Sequence, residues 1–157
     1  MMKHVKAECK ELVRKMLIRH EGLRLKPYRC SAGKLTIGVG RNLEDKGIRE
    51  VEAYYMLDND IDEVTGSLKK KYDWFERLNE VRKAVVINMA FNLGVLGFGA
   101  FRKTIALIES GQYEEASREM LRSKWAIQVG YRARELAEMM RSGEELHCPT
   151  EEDFHTN

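Results

Sequence analysis

The chain has 157 residues, a length that fits one domain of roughly 100–200 residues. Its hydrophobic and charged fractions of 43% and 33% are those of a globular protein and argue against a disordered chain. The 27 Lys and Arg against 25 Asp and Glu leave a net charge of +2, too even to point to nucleic acid as the partner.

Three cysteines, Cys9, Cys30 and Cys148, cannot all pair within one chain. They are too sparse for a disulfide scaffold and lack zinc-site spacing, so reduced thiols are expected. His4, His20, His147 and His155 form no metal spacing either, and neither a metal nor a cofactor is expected. The opening residues 1–10 are charged, without an apolar stretch of signal-peptide length. No run is expected to span a membrane or insert stably in one.

Val5, Cys9, Leu12, Val13, Met16 and Leu17 recur at three- and four-residue steps and predict an amphipathic helix that ends near Glu21-Gly22. From Leu23 to Leu43 the pattern changes. Pro27, Gly33, Gly38 and Gly40 punctuate this segment, and Leu35, Ile37 and Val39 alternate with Lys34, Thr36 and Gly38, as in one arm of a small hairpin. Helical spacing resumes from Arg49 to about Lys70 and closes on the solvated run Lys69-Lys70-Lys71. Val81 to Leu93 is apolar nearly all round and predicts a helix in the middle of the core. Further helices are predicted over 102–110, 112–122 and 131–141, with Gly111 and Gly130 as joints and an acidic, loose tail over 142–157. The fold class is α+β and predominantly α, in a single domain spanning 1–157.

The irregular segment carries the chemistry: His20-Glu21-Gly22-Leu23-Arg24, then Tyr28, Cys30 and Leu35-Thr36-Ile37-Gly38-Val39-Gly40. It resembles the catalytic segment of the phage-type lysozymes, in which a helix-terminal Glu-Gly-x-Arg precedes a Tyr, an acidic residue and a Thr-Ile-Gly-x-Gly strand. Nine residues separate Glu21 from Cys30 and six more reach Thr36, as in that pattern. The resemblance continues through Ala90-Phe91-Asn92-Leu93-Gly94, Gly99-Ala100-Phe101, Ser123-Lys124-Trp125 and Gly130-Tyr131-Arg132-Ala133-Arg134-Glu135, covering about 12–141.

The resemblance implies a two-lobed lysozyme-like domain. Its small β-hairpin lobe would hold a catalytic segment at about 21–43, and its helical lobe would span about 78–141. It further implies an endolysin that hydrolyses the β-1,4 bond between N-acetylmuramic acid and N-acetylglucosamine in peptidoglycan. Glycosidic cleavage needs a proton on the leaving oxygen, and Glu21 is the candidate general acid, a role that calls for partial burial. The family brings Arg132 near this glutamate, where its charge would oppose that effect. Thr36 would hold the attacking water through a hydroxyl that both donates and accepts. Asn92 would lie near the cleft floor and touch substrate or Glu21, Arg132 would be a further substrate contact, and Trp125 would belong to the helical core.

Two features depart from the family pattern. Cys30 stands where an acidic residue is usual, and a thiol of pKa about 8.5 is mostly protonated at neutral pH unless something lowers it. Arg24 and Lys34 are candidates for that lowering. Cys30 is then an electrostatic partner of the transition state, a base for the water, or a nucleophile, and its oxidation or pairing with Cys9 or Cys148 would block the site. The second departure is the short connection over 41–48, which predicts a smaller β-lobe. The implied biology is synthesis in the bacterial cytoplasm as a monomer, with release to the wall through a membrane-opening partner, a holin. Two alternatives are a catalytically silent peptidoglycan-binding or interaction protein on the same fold, and a lytic transglycosylase, which needs no attacking water.

Overall fold

A computed structural model of the chain describes residues 6–146. The chain divides into two compact units, Met1–Tyr55 and Met56–Asn157. His4, His147, Cys148, Pro149, His155 and most of the acidic tail lie outside the described residues.

The first unit opens with helix α1 (Ala7–Glu21), which stops where expected. Gly22 takes φ 78°, a left-handed value open to glycine, and its N–H closes on the Ile18 carbonyl at 2.9 Å. Val5, the first residue of the predicted apolar stripe, lies outside the described residues; within α1 Leu12, Val13, Met16, Leu17 and Ile18 are all exposed.

A three-stranded antiparallel sheet follows: β1 (Arg24–Arg29), β2 (Leu35–Gly38) and β3 (Arg41–Asn42), with β2 in the centre. Periodicity announced one hairpin; the two-residue strand β3 is too short to leave an alternating signal. Tyr28 and Asn42 flank Thr36 in register. The β1–β2 register slips between Arg24 and Tyr28, where Pro27 lacks an N–H to give the ladder. The turn joining these strands is a tight one: Gly33 N–H donates to the Cys30 carbonyl at 2.8 Å, and Cys30 N–H donates to the Lys34 carbonyl at 2.9 Å. Gly33 at φ 76° supplies the left-handed residue that a three-residue hairpin loop requires.

The connection over 43–49 is short, as expected, and ion pairs knit it to the sheet. Glu44 accepts from Arg29 at 2.8 Å and from the Leu35 N–H at 3.0 Å, while Asp45 accepts from Lys34 at 3.3 Å and from Asn42 at 2.9 Å. Helix α2 (Glu50–Lys71) then runs from the first unit into the second.

The second unit is helical. A single 3₁₀ turn (Phe75–Arg77) precedes α3 (Glu80–Gly99), α4 (Arg102–Glu109), α5 (Tyr113–Arg122), α6 (Lys124–Val129) and α7 (Tyr131–Ser142). The short α6 escaped the sequence reading because its six residues are fewer than two full turns; Ser123 caps it by accepting from the Ala126 N–H. Leu68, Phe75, Val85, Val86, Met89, Phe98, Ile108, Met120 and Met140 are fully buried in one core, with Trp74 and Trp125 close to it in burial. Tyr72 meets Phe98 edge-on at 5.9 Å, and Phe101 meets Trp125 edge-on at 6.0 Å, the geometry aromatic quadrupoles favour.

Helix α3 departs from expectation in two ways. Its 81–93 stretch is expected in the middle of the core, and Val85, Val86, Met89 and Ala90 are buried there, but Phe91 is exposed, as is Leu96 beyond that stretch. Contrary to the expectation of no such run, Glu80–Gly99 is also long and apolar enough to cross a membrane by length and composition. Gly94, at φ 78° and ψ 157°, breaks its helical path, and the buried face belongs to the core just described.

The C-terminal end of α7 is tied to the start of α3. Arg82 donates to the Met140 and Arg141 carbonyls at 2.8 and 3.0 Å, and Asn79 donates to the Gly143 carbonyl at 2.9 Å. The Arg82 guanidinium also lies over the Tyr113 ring at 3.7 Å.

Candidate active site

In the first unit, the loop-closing hydrogen bonds of the β1–β2 turn wrap main-chain N–H groups around Cys30. The thiol is lowered from its ordinary range, first by the Lys34 and Ala32 backbone groups and then by the Thr36 hydroxyl, against an opposing effect of burial. The lowering does not come from the side-chain cations proposed for it. Arg24 stacks on the Tyr28 ring at 4.3 Å, and the Lys34 ammonium pairs with Asp45. Main-chain dipoles thus favour the thiolate.

Thr36 is buried, at 4% exposure, and is the only residue of the first unit so enclosed among those described. Its hydroxyl donates to the Lys34 carbonyl at 2.9 Å. A hydroxyl has one proton, so donation to Lys34 and donation to the Cys30 sulfur are alternatives, reached by turning the O–H. Cys30 is half-buried and free, and Cys9 is free and exposed.

Glu21 stands on the last turn of α1 and is exposed. The first unit therefore does not itself supply the partial burial that a general acid calls for. It supplies position instead. A Cβ built on Gly40 would lie 3.0 Å from Glu21 Oε2 and 3.3 Å from its Cγ and Cδ. Gly40, at φ 66°, is thus a platform on which the carboxylate rests. In the sequence Gly40 only punctuates the segment; in the structure the group that approaches it is Glu21.

In the second unit, Asn92 Oδ1 accepts from Trp125 Nε1 at 2.9 Å. Because the indole N–H can only donate, the amide is oriented and its Nδ2 is left as the outward donor. One helical turn earlier, Asn88 Oδ1 accepts from Arg132 Nε and Nη2 at 3.0 and 2.7 Å. Asn92 and Arg132 are therefore held by different partners on successive turns of α3. Arg132 and Asn88 help line an apolar groove of 440 Å³ together with Leu57, Ile61, Ala84, Ile87 and Phe91. Asn88 was missed by the sequence reading, although a polar residue within an apolar helix, four before Asn92, was a usable signal.

A profile of the phage lysozyme family matches residues 18–142, which takes in both units. The chain belongs to the phage lysozyme family. It is accordingly a glycoside hydrolase of the lysozyme class. It is 26% identical over 160 residues to probable T4-type lysozyme 1 of Dictyostelium discoideum, covering 83% of this chain and 94% of that protein. It is 31% identical over 115 residues to the endolysin of Acyrthosiphon pisum secondary endosymbiont phage 1, covering 71% and 75%. With the SAR-endolysin of Escherichia phage Mu the identity is 31% over 132 residues, covering 78% and 70%. The family match includes every residue discussed above from Glu21 to Arg132. The predominantly helical architecture with a small antiparallel sheet agrees with this membership.

Proposed function

We propose that this lysozyme cleaves the β-1,4 bond between N-acetylmuramic acid and N-acetylglucosamine, with Glu21 as general acid, Cys30 as the anionic partner and Thr36 as the holder of the attacking water. The observation that carries this reading is the set of main-chain N–H groups, those of Lys34 and Ala32, that pull the Cys30 thiol down. A thiolate held this way offers the negative charge that a carboxylate would offer to an oxocarbenium-like transition state. It can also accept a proton from water positioned by Thr36, whose oxygen keeps acceptor capacity while its proton goes to Lys34. Direct attack by sulfur is not needed when water does the attacking.

On this reading Asn92 and Arg132 contact substrate. The outward Nδ2 of Asn92 suits an acceptor such as an acetamido carbonyl, and the Arg132 guanidinium suits an anionic group on the wall polymer. Both units act as parts of one lysozyme-like domain. The protein acts as a monomeric endolysin, made in the host cytoplasm and released to the wall by a holin at lysis.

Lysis of permeabilised Gram-negative cells tests this, using wild type, Glu21→Gln, Cys30→Ser and Cys30→Asp with and without reductant. The proposal expects loss of activity in Glu21→Gln and retention in Cys30→Asp. An inactive reduced wild type would overturn it, and products ending in a 1,6-anhydro ring rather than a hydrated reducing end would overturn the water-attack step.

A further inference from the structure

The Gly40 platform is itself anchored, and the anchor is a partly buried ion pair that the proposed chemistry does not use. Arg41, the next residue, donates from Nη1 to both carboxylate oxygens of Glu52, at 3.0 and 2.9 Å, and makes a longer contact of 3.4 Å with the Gly47 carbonyl. Glu52 lies in the first turn of α2 and also accepts from the Arg49 N–H at 3.3 Å. That bond is half of a capping box, so the carboxylate is fixed by the helix start as well as by the arginine. Both side chains are about one-third exposed. The Arg41 guanidinium lowers the Glu52 carboxyl below the ordinary range, which keeps the pair charged at neutral pH.

The placement of this pair matters because the ladder that holds the β2–β3 turn is short. Strand β3 has only two residues, Arg41 and Asn42, which pair with Ile37 and Thr36 of β2, and one further bond runs from the Leu43 N–H to the Leu35 carbonyl at 2.8 Å. The other ion pairs of the loop, Arg29–Glu44 and Lys34–Asp45, brace the opposite end of β2 around the Cys30 turn. Arg41–Glu52 is the ion pair beside the turn that carries Gly40.

We infer that Arg41 and Glu52 are positioning residues for the glycosidase reaction: they hold the Gly40 turn against the start of α2 and thereby set where the Glu21 carboxylate stands. This rests on Glu21 being the general acid. Positioning of a reacting group within about 1 Å can be worth 10²-fold in rate, whereas an ion pair still about one-third exposed and screened by solvent contributes modestly to stability. The signature is therefore a loss in kcat that exceeds what any change in Tm or KM explains.

The test compares wild type, Glu52→Gln, Arg41→Gln, Arg41→Lys and the exchanged pair Arg41→Glu/Glu52→Arg on a soluble peptidoglycan fragment, recording kcat, KM and Tm. Glu114→Gln, which removes an exposed ion pair with Arg118 on α5, serves as the control. The expected result is a fall in kcat of about tenfold in Glu52→Gln and Arg41→Gln, with KM within about twofold, and at least partial recovery in Arg41→Lys or the exchanged pair. Unchanged kcat with a lower Tm would overturn the inference, as would a rise in KM alone or a fall in kcat equal to that of Glu114→Gln. Glu21→Gln is run in parallel. If it keeps wild-type activity, the general-acid reading fails and the positioning role falls with it. If it is inactive while the Arg41 and Glu52 variants keep full kcat, only the positioning role fails.

Discussion

Substitution of Gly40 by alanine separates the position of Glu21 from the stability of the fold. Two effects of the new methyl group can be worked out. The backbone at φ 66° is left-handed, which costs a non-glycine residue roughly 1–2 kcal/mol. For a domain of this size each kcal/mol shifts Tm by about 2–4 °C, so Tm should fall by about 2–8 °C. The added Cβ would also meet Glu21 Oε2 at 3.0 Å. Ordinary heavy-atom contacts lie near 3.5–4.0 Å, so the carboxylate must retreat by about 0.5 Å. If a 1 Å displacement costs on the order of 10²-fold, half of that costs about tenfold in kcat. Gly111→Ala supplies the comparison, because Gly111 has φ 76° but nothing within 4 Å of its added Cβ. Thermal unfolding and steady-state turnover on a soluble substrate should show a similar Tm loss in both variants and a kcat loss only in Gly40→Ala. Equal kcat in the two variants would refute the argument that Gly40 positions Glu21.

Other consequences concern the thiol and the second unit. In a Cys9→Ser/Cys148→Ser background, the rate of Cys30 alkylation against pH should reach half its maximum below the value of about 8.5 for an unperturbed thiol. Thr36→Val should move that midpoint upward, and a wild-type midpoint at or above 8.5 would contradict the role of the turn. Because the folded-state pKa of this acid is depressed, its contribution to stability is full above the unfolded value and fades as pH falls through the folded one. Trp125→Phe keeps an aromatic ring but removes the donor that orients Asn92; substrate affinity should weaken, with a stability cost of about 0.5–1.5 kcal/mol in denaturant unfolding, because the freed oxygen of the exposed Asn92 can be hydrated. Phe98→Ala, in the centre of the second unit, should cost about 3–5 kcal/mol in the same assay, and a loss below 1 kcal/mol would show that its site is not closely packed.

Much of the local structure was legible from residue order alone. Helix α1 ends at Glu21 because glycine follows, α2 and α3 begin within a residue of expectation, and Leu35 to Gly38 alternate as a strand must. These are consequences of periodicity and turn chemistry, which act over a few neighbours. The spacing of Glu21, Cys30 and Thr36 and the blocks through Arg132 were enough to indicate the family.

What residue order did not reveal depends on groups distant in sequence or on the main chain. Side-chain charge suggested Arg24 and Lys34 as the cause of a lowered Cys30 thiol, but the cause is backbone N–H groups gathered by the turn at Gly33, and a sequence does not display which way main-chain dipoles point. The seat of Glu21 on Gly40, the bond from Arg41 to Glu52, and the pairing of Asn88 with Arg132 join residues 11 to 44 positions apart. No periodic signal links such pairs, because packing alone brings them within reach. The sequence by itself determined which chemistry-bearing residues are present and which elements carry them; the tertiary structure decided what each one touches, since hydrogen bonds and steric contact act only over a few ångströms of space.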